Sequence, residues 1–418
     1  MTEIQSEIQV DPYLARYAER ARGMTQSEIR ALFAVANRPE VISLAGGMPD
    51  TALVDYDALG AVFAEIAANH GPAALQYGGG QGHPGLREQL TTVMASEATD
   101  AHPDDLVVTS GGQQALDLVA KLFCDPGDVV VAEGPSYVGA LSAFSAYQTQ
   151  VAHVPIDDDG IIPAALDDTL TRLHARRQRP KFLYLVPNHQ NPAGVCLSEP
   201  RRVEVLQIAQ RHDVMIVEDN PYGLIDFKGE PHTTLRSMAP ERVIYVGTLS
   251  KIFAPGVRTG WIAAAGPVRD KLIQLKEAAD LTQSNLTQFV AERWLSTQPW
   301  RAQVERTRAV YLSRCHAMID EMSHEFPAAA RWSVPTGGMF VWARMPQGVN
   351  TGELLAQALS KRVAYVPGRA FFADGSGQRD LRLNFCFASE DRLREGVRRI
   401  AEVAHAELEI VRAVYDRS

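Results

Sequence analysis

Between residues 105 and 247 the chain alternates short apolar runs with longer stretches of helical spacing. Five runs are rich in branched and aromatic residues: "DLVVT" (105–109), "DVVVAE" (128–133), "KFLYLV" (181–186), "DVMIVE" (213–218) and "RVIYVG" (242–247). None alternates apolar with polar, so each predicts a strand buried on both faces, and the intervening helices predict a mostly parallel sheet covered on both sides. Upstream, Thr25-x-x-Glu28 forms a capping box before Ile29, Leu32, Phe33 and Ala36 recur at helical spacing, which predicts a helix over 25–36 in an N-terminal arm. Past residue 300 the charged helical stretch "RAQVERTRAVYLSRCHAMIDEM" leads to shorter strands near "MFVWARM" and "LRLNFCF", the pattern of a second, smaller α+β unit. The expected division is therefore an arm over 1–50 that contributes to the small domain, a large α/β domain over 51–305 and a small C-terminal domain over 306–418.

Composition narrows the class of partner. With 418 residues, 46% of them hydrophobic and 22% charged, the chain has room for a sizeable core and for two domains. Forty-one Lys and Arg against fifty Asp and Glu leave a net charge of −9, a field that repels nucleic acid and anionic membranes. Small molecules and a second copy of the chain are the expected partners. Cys124, Cys196, Cys315 and Cys386 show no C-x-x-C and no His pairing at metal spacing, so neither a disulfide framework nor a metal site is indicated. The polar, acidic "MTEIQSEIQV" is no signal peptide, and no apolar run reaches membrane-spanning length, which points to the cytoplasm. The basic run "HARRQRPK" (174–181) reads as a solvated helix end.

In an open parallel sheet the ligand sits beyond the carboxyl ends of the strands, so polar residues just after apolar runs carry the most information. Four places qualify. "VVTSGGQQALDLVAKLF" ends a strand in Ser110-Gly111-Gly112 and opens a helix whose N–H groups could face an anion. "YLVPNHQNPAG" carries Asn188 and Asn191 in a kinked turn, "MIVEDNPYG" places Asp219 just past a strand with Tyr222 three residues on, and "VIYVGTLSK" does the same with Lys251. Each has a plainer explanation: a tight Gly-Gly turn, Asn bonding its own backbone, an Asp N-cap, a solvated Lys. Together they describe an anion cradle, an amide, a carboxylate and an amine at one end of one sheet. An aromatic aldehyde bearing a phosphate and a pyridine nitrogen would use all four.

In chain order "ISLAGGMPD", "QYGGGQGHPGLR", "SGGQQALD", "QNPAG", "EDNPY", "GTLSKIFAPGVRTGW" and "LRLNF" resemble the class I/II aminotransferases, fold-type-I enzymes dependent on pyridoxal 5′-phosphate (PLP). The resemblance runs from about residue 25 to the C-terminus, and "ISLAGGMPD" is most similar to the branch of 2-aminoadipate, kynurenine and broad-range aminotransferases. It implies a Schiff base between Lys251 and the cofactor, with the same amine then shuttling a proton between substrate Cα and cofactor C4′. That role requires a lysine pKa well below the ordinary 10.4 or so. Arg258, Thr248, Ser250, Ser110 and the amides of Gly112 and Gln113 are implied to hold the phosphate, Asp219 the pyridine nitrogen, and Tyr222 with Asn191 the ring's 3′-oxygen. Tyr137 is implied to stack on the ring. Arg382, with Asn191 and Gly47, is implied to bind the substrate carboxylate, Gly46 and Gly47 letting backbone approach it. Tyr77 is implied to reach the phosphate of a partner subunit, which makes the active unit a homodimer.

Two positions depart from the family pattern: His189, where relatives commonly carry an aromatic, and Asn384, where serine is frequent. Neither takes a catalytic role, but both could reshape the pocket. The reading is an aminotransferase with ping-pong kinetics, moving the amino group of an L-amino acid to a 2-oxo acid such as 2-oxoglutarate, the donor left open. Two rivals stand beside it. One is another PLP reaction, β-elimination or oxidation; the other is a PLP-binding transcriptional regulator, against which the acidic charge and the short stretch ahead of "VISLAGG" both argue.

Overall fold

The computed structural model describes residues 11–22 and 38–415; the helix expected over 25–36 lies outside them. Its centre is an eight-stranded sheet. The strands are β2 (Leu106–Thr109), β3 (Val129–Gly134), β4 (Gln150–Asp157), β5 (Gly160–Ile161), β6 (Phe182–Leu185), β7 (Met215–Asp219), β8 (Val243–Thr248) and β9 (Gly260–Ala263), in the order β2-β9-β8-β7-β6-β3-β4-β5. Pairing is parallel from β8 through β7, β6 and β3 to β4, while β9 runs against both its neighbours and β5 against β4.

Successive residues of the central strands enter different cores, which is why they read as unbroken apolar runs. Val130 and Ala132 of β3, with Phe182 and Tyr184 of β6, join one cluster with the helix Gly112–Phe123. Val129, Val131, Leu183 and Leu185 join another, with Leu166, Leu170, Val205 and Ile208 from the helices Pro163–Ala175 and Glu199–Arg211. A second, antiparallel sheet has the order β10-β11-β14-β13, with β10 Arg331–Trp332, β11 Phe340–Arg344, β13 Val366–Pro367 and β14 Asp380–Asn384. The early strand β1 (Ile42–Ser43) pairs in parallel with β12 (Val363–Ala364), tying an early segment to the C-terminal third of the chain. The helix Trp300–Glu325 passes through position 305 without a break and packs on the long helix Glu390–Tyr415. Among the described residues no helix is long and apolar enough to cross a membrane.

Candidate active site

A cavity of about 340 Å³ opens at the carboxyl ends of β6, β7 and β8, beside the start of the helix Gly112–Phe123. Gly47, Gly112, Gln113, Tyr137, Asn191, Asp219, Tyr222, Thr248, Ser250, Lys251, Arg258 and Arg382 all line it. The sequence placed these residues in separate turns, and the fold gathers them around one space.

Lys251 stands in the turn after β8, closed by Leu249 N–H donating to Thr259 O and Phe253 N–H to Leu249 O. Its Nζ donates to the carbonyl of Gly47 at 2.8 Å. Burial, helped by the nearby charges of Arg382 and Arg258, brings its amine down from 10.5 to about 8. Asp219 ends β7 and caps no helix; its Oδ2 accepts from Tyr184 Oη at 2.8 Å. Burial pushes its carboxyl up to about 7, because no cation hydrogen-bonds to it among the described residues.

At the other end of the cavity, Gly111 enters the helix at φ +79°, and a Cβ there would meet Arg258 Nη2 at 2.4 Å. Only glycine allows the helix start and the guanidinium to lie this close. Arg258 itself is left-handed at φ +53° and donates from Nη2 to Ser110 O at 2.9 Å. Thr248 Oγ1 donates to Ser250 Oγ at 2.9 Å, so both hydroxyls face the same corner. Free helix N–H groups, a guanidinium and two hydroxyls make an anion cradle. Ser110 takes part through its carbonyl and is not itself in the lining.

Arg382, in β14, is 3% exposed. Nη1 donates to Asn191 Oδ1 at 2.9 Å and Nη2 to Ala45 O at 2.7 Å, while Nε has no partner. The guanidinium lies 4.1 Å from the ring centroid of Phe340 and 5.0 Å from that of Phe371. Asn191 Nδ2 in turn reaches Tyr222 Oη at 3.4 Å. A buried cation with no counter-ion among the described residues, its Nε–H unspent, is suited to an incoming carboxylate.

A profile of the family described as aminotransferase class I and II matches residues 39–400. The chain belongs to the class I and II aminotransferases. This aminotransferase is 39% identical to the aromatic-amino-acid aminotransferase 1 of Thermococcus litoralis, over 95% of each chain. It superposes with a TM-score of 0.90 on the Pyrococcus horikoshii kynurenine aminotransferase in complex with PMP, at 36% identity over 94% of this chain and 97% of that one. The α-aminoadipate aminotransferase of Thermus thermophilus, complexed with N-(5′-phosphopyridoxyl)-L-leucine, gives 0.88 at 33% identity over 95% and 99%. The enzyme is thus a fold-type-I, PLP-dependent aminotransferase, and the residues present fit that cofactor. The cradle at Gly112–Gln113 suits a phosphate, and Asp219, buried with no hydrogen-bonded cation among the described residues, suits a protonated ring nitrogen.

Some expected residues lie elsewhere. Tyr77 is 77% exposed and does not line the cavity of its own chain. Gly46 is outside the lining, and a Cβ on Gly47 would meet only Phe340, at 3.7 Å, so no protein contact demands glycine at position 47. Neither residue that departs from the family pattern lines the cavity. Asn384 Oδ1 caps Cys386 N–H at 2.8 Å, and His189 turns away towards Cys196. Asn188 links Asn220 to the buried Arg202 and does not line the cavity.

Neighbours missed by the sequence reading include Tyr184 and Phe340, together with the lining residues Met48 and Val138. Tyr184, inside β6, carries a hydroxyl that a doubly buried strand must satisfy, and that need was the available signal. Phe340 is flagged only by the preceding Gly337-Gly338. Nor did the cysteine pattern reveal that Cys196 meets His189 and His232 in space, since positions 189, 196 and 232 follow no metal-motif spacing. Burial pushes the Cys196 thiol up, but hydrogen bonds from the two imidazoles outweigh it and hold the thiol at about 5.

Proposed function

We propose that this aminotransferase takes the amino group from L-amino acids with large apolar or aromatic side chains and passes it to 2-oxoglutarate, with Lys251 as the base. The buried Lys251 amine, held at about 8 and facing Arg382 across the cavity, carries this reading. When bound, PLP supplies an aldehyde carbon open to amine attack and a ring that takes up an electron pair. Lys251 is neutral often enough near neutral pH to take a proton from substrate Cα, and would return it two bonds away, to the carbon across the amino nitrogen. The carboxylate of Asp219 favours a proton at the ring nitrogen, and Tyr222 with Asn191 donates to the ring oxygen. Arg382 grips the α-carboxylate through a guanidinium fork, releasing Ala45 O or Asn191 as it does so.

Met48, Leu116, Val138 and Phe340 give the cavity its apolar wall. Among its lining residues every cation already has a role, so the distal carboxylate of 2-oxoglutarate takes its partner from outside this lining, and the apolar wall favours an apolar side chain on the donor. Two of the relatives' names, aromatic-amino-acid and kynurenine aminotransferase, lean the same way, while that of the α-aminoadipate aminotransferase leans to an acidic side chain.

The working unit we propose is a cytoplasmic homodimer in which Tyr77 of each chain reaches the phosphate cradle of the other. Support comes from Leu75 and Tyr77, 79% and 77% exposed beside the glycine run 78–80, and from four free cysteines. Residues 51–305 would form the cofactor-binding domain, with 1–50 and 306–418 as the smaller one. No partner that binds nucleic acid or membrane is invoked.

The test is the absorption spectrum of the purified enzyme mixed in turn with L-amino acids. Phenylalanine, tyrosine, kynurenine or leucine should shift the cofactor band to that of its amino form, and 2-oxoglutarate should restore it. A shift with aspartate alone would refute the donor class, while pyruvate and ammonia without glutamate would refute transamination in favour of elimination.

A further inference from the structure

On the far side of the turn that carries Asn191, three side chains with soft or nitrogen donors converge. His189 is fully buried with left-handed backbone, φ +47°. Its N–H donates to Cys196 Sγ at 3.3 Å, and its Nδ1 lies 3.2 Å from the same sulfur. His232 approaches from the loop after β7. One donor atom from each of His189, Cys196 and His232 falls within 4.8 Å of the others.

A single carboxylate lies beside both imidazoles. Nε2 of His189 and Nε2 of His232 are both buried without a hydrogen-bond partner. They stand 3.5 and 3.7 Å from one oxygen of Asp226, Oδ2. The other oxygen, Oδ1, accepts the N–H groups of Lys228, Gly229 and Glu230, which fixes the carboxylate in place. A carboxylate behind a ligating histidine sets its tautomer and orientation.

We propose that His189, Cys196 and His232 bind a divalent transition metal of the zinc class, oriented by Asp226. Thiolate with imidazole selects that class over magnesium or calcium. Metal–ligand lengths of about 2.0–2.3 Å put tetrahedral ligand atoms roughly 3.3–3.6 Å apart. The sulfur and His189 Nδ1 are already near that spacing, and His232, with 27% of its side chain exposed, has room to turn in.

The site has a structural consequence. A Cβ on Gly337 would meet His189 Cε1 at 2.4 Å, one on Gly338 would meet His189 Cβ at 2.6 Å, and Asp226 bridges Gly337. The metal would therefore clamp the Asn191 turn to the segment that enters β11 and delivers Phe340 to the cavity.

The experiment is a Co²⁺ titration of the PLP-loaded enzyme, read by thiolate-to-cobalt charge transfer and by d–d bands beyond the cofactor's absorption. One cobalt per chain is expected, displaced by Zn²⁺ in equal amount and accompanied by a higher thermal midpoint. Cys196→Ser should abolish the charge-transfer band, and His232→Gln, at the partly exposed ring, should weaken binding by about 10-fold or more. Substoichiometric binding, or binding unchanged in His232→Gln, would overturn the site; the trio would then be a thiolate–imidazole pair that holds the turn by hydrogen bonds alone.

Discussion

Asp219→Asn should make the cofactor-free protein more stable and the enzyme far slower. The side chain is 6% exposed, and its carboxyl sits at about 7 against an ordinary 3.8. An acid whose pKa is raised on folding keeps its proton longer in the folded state, so stability is lost as pH climbs from about 4 to 7 and stays lost above. A gap of about 3 pKa units at 1.36 kcal/mol each makes that loss roughly 4 kcal/mol at pH 8. Asparagine removes the charge and keeps an oxygen for Tyr184. The variant's advantage over wild type should therefore widen by roughly 2–3 kcal/mol between pH 5 and pH 8, measured by urea unfolding of cofactor-free protein. With PLP bound the sign reverses. A ring nitrogen deprived of its buried partner costs about 3–5 kcal/mol, which slows the single-turnover half-reaction by roughly two to four powers of ten. A stability gap that does not change with pH would show that the carboxylate is not burdened by burial. A rate loss below about tenfold would show that its charge does not serve the reaction.

Three further outcomes are expected. Gly111→Ala drives a Cβ to 2.4 Å from Arg258 Nη2 at a positive φ and should weaken PLP binding by about 10-fold or more, seen by equilibrium dialysis. Gly127→Ala, equally left-handed but with open space around it, should leave cofactor affinity unchanged and show the folding cost alone. Arg382→Lys keeps the charge but loses the fork and the stacking on Phe340; KM for the donor should rise about 10- to 100-fold with an unaltered cofactor spectrum. In cofactor-free protein the rate of forming a borohydride-reducible link to PLP should rise with pH, half-maximal near 8, as the Lys251 amine loses its proton. Lys251→Ala should form no such link, and a midpoint near 10 would show that the amine is not desolvated.

Legibility in the sequence followed the physical origin of each feature. β3, β6, β7 and β8 were plain because both faces are covered, which forces an apolar run regardless of context. β4 was not, because this strand near the sheet edge, with Gln150, His153 and Pro155, is mostly half-exposed and its composition resembles a loop. β9 was hidden behind the glycines and the Arg258 turn that precede it. Strand β1 has two residues and pairs with β12 some 320 positions away, a contact that leaves no local trace.

The chain by itself determined the kind of site. Strand ends and the turns after them are local, so Asp219, Lys251 and the Gly111-Gly112 helix start could be ordered along one edge of one sheet before any contact was known. Tertiary structure alone decided how those groups behave. It put Lys251 Nζ on Gly47 O, desolvated Asp219 until its carboxyl rose to about 7, and laid Arg382 against Phe340 with one N–H unspent. It also brought His189, Cys196 and His232 together around one point. Burial and the field of distant charges depend on which surfaces meet, and that is a property of the packed whole rather than of any stretch of residues.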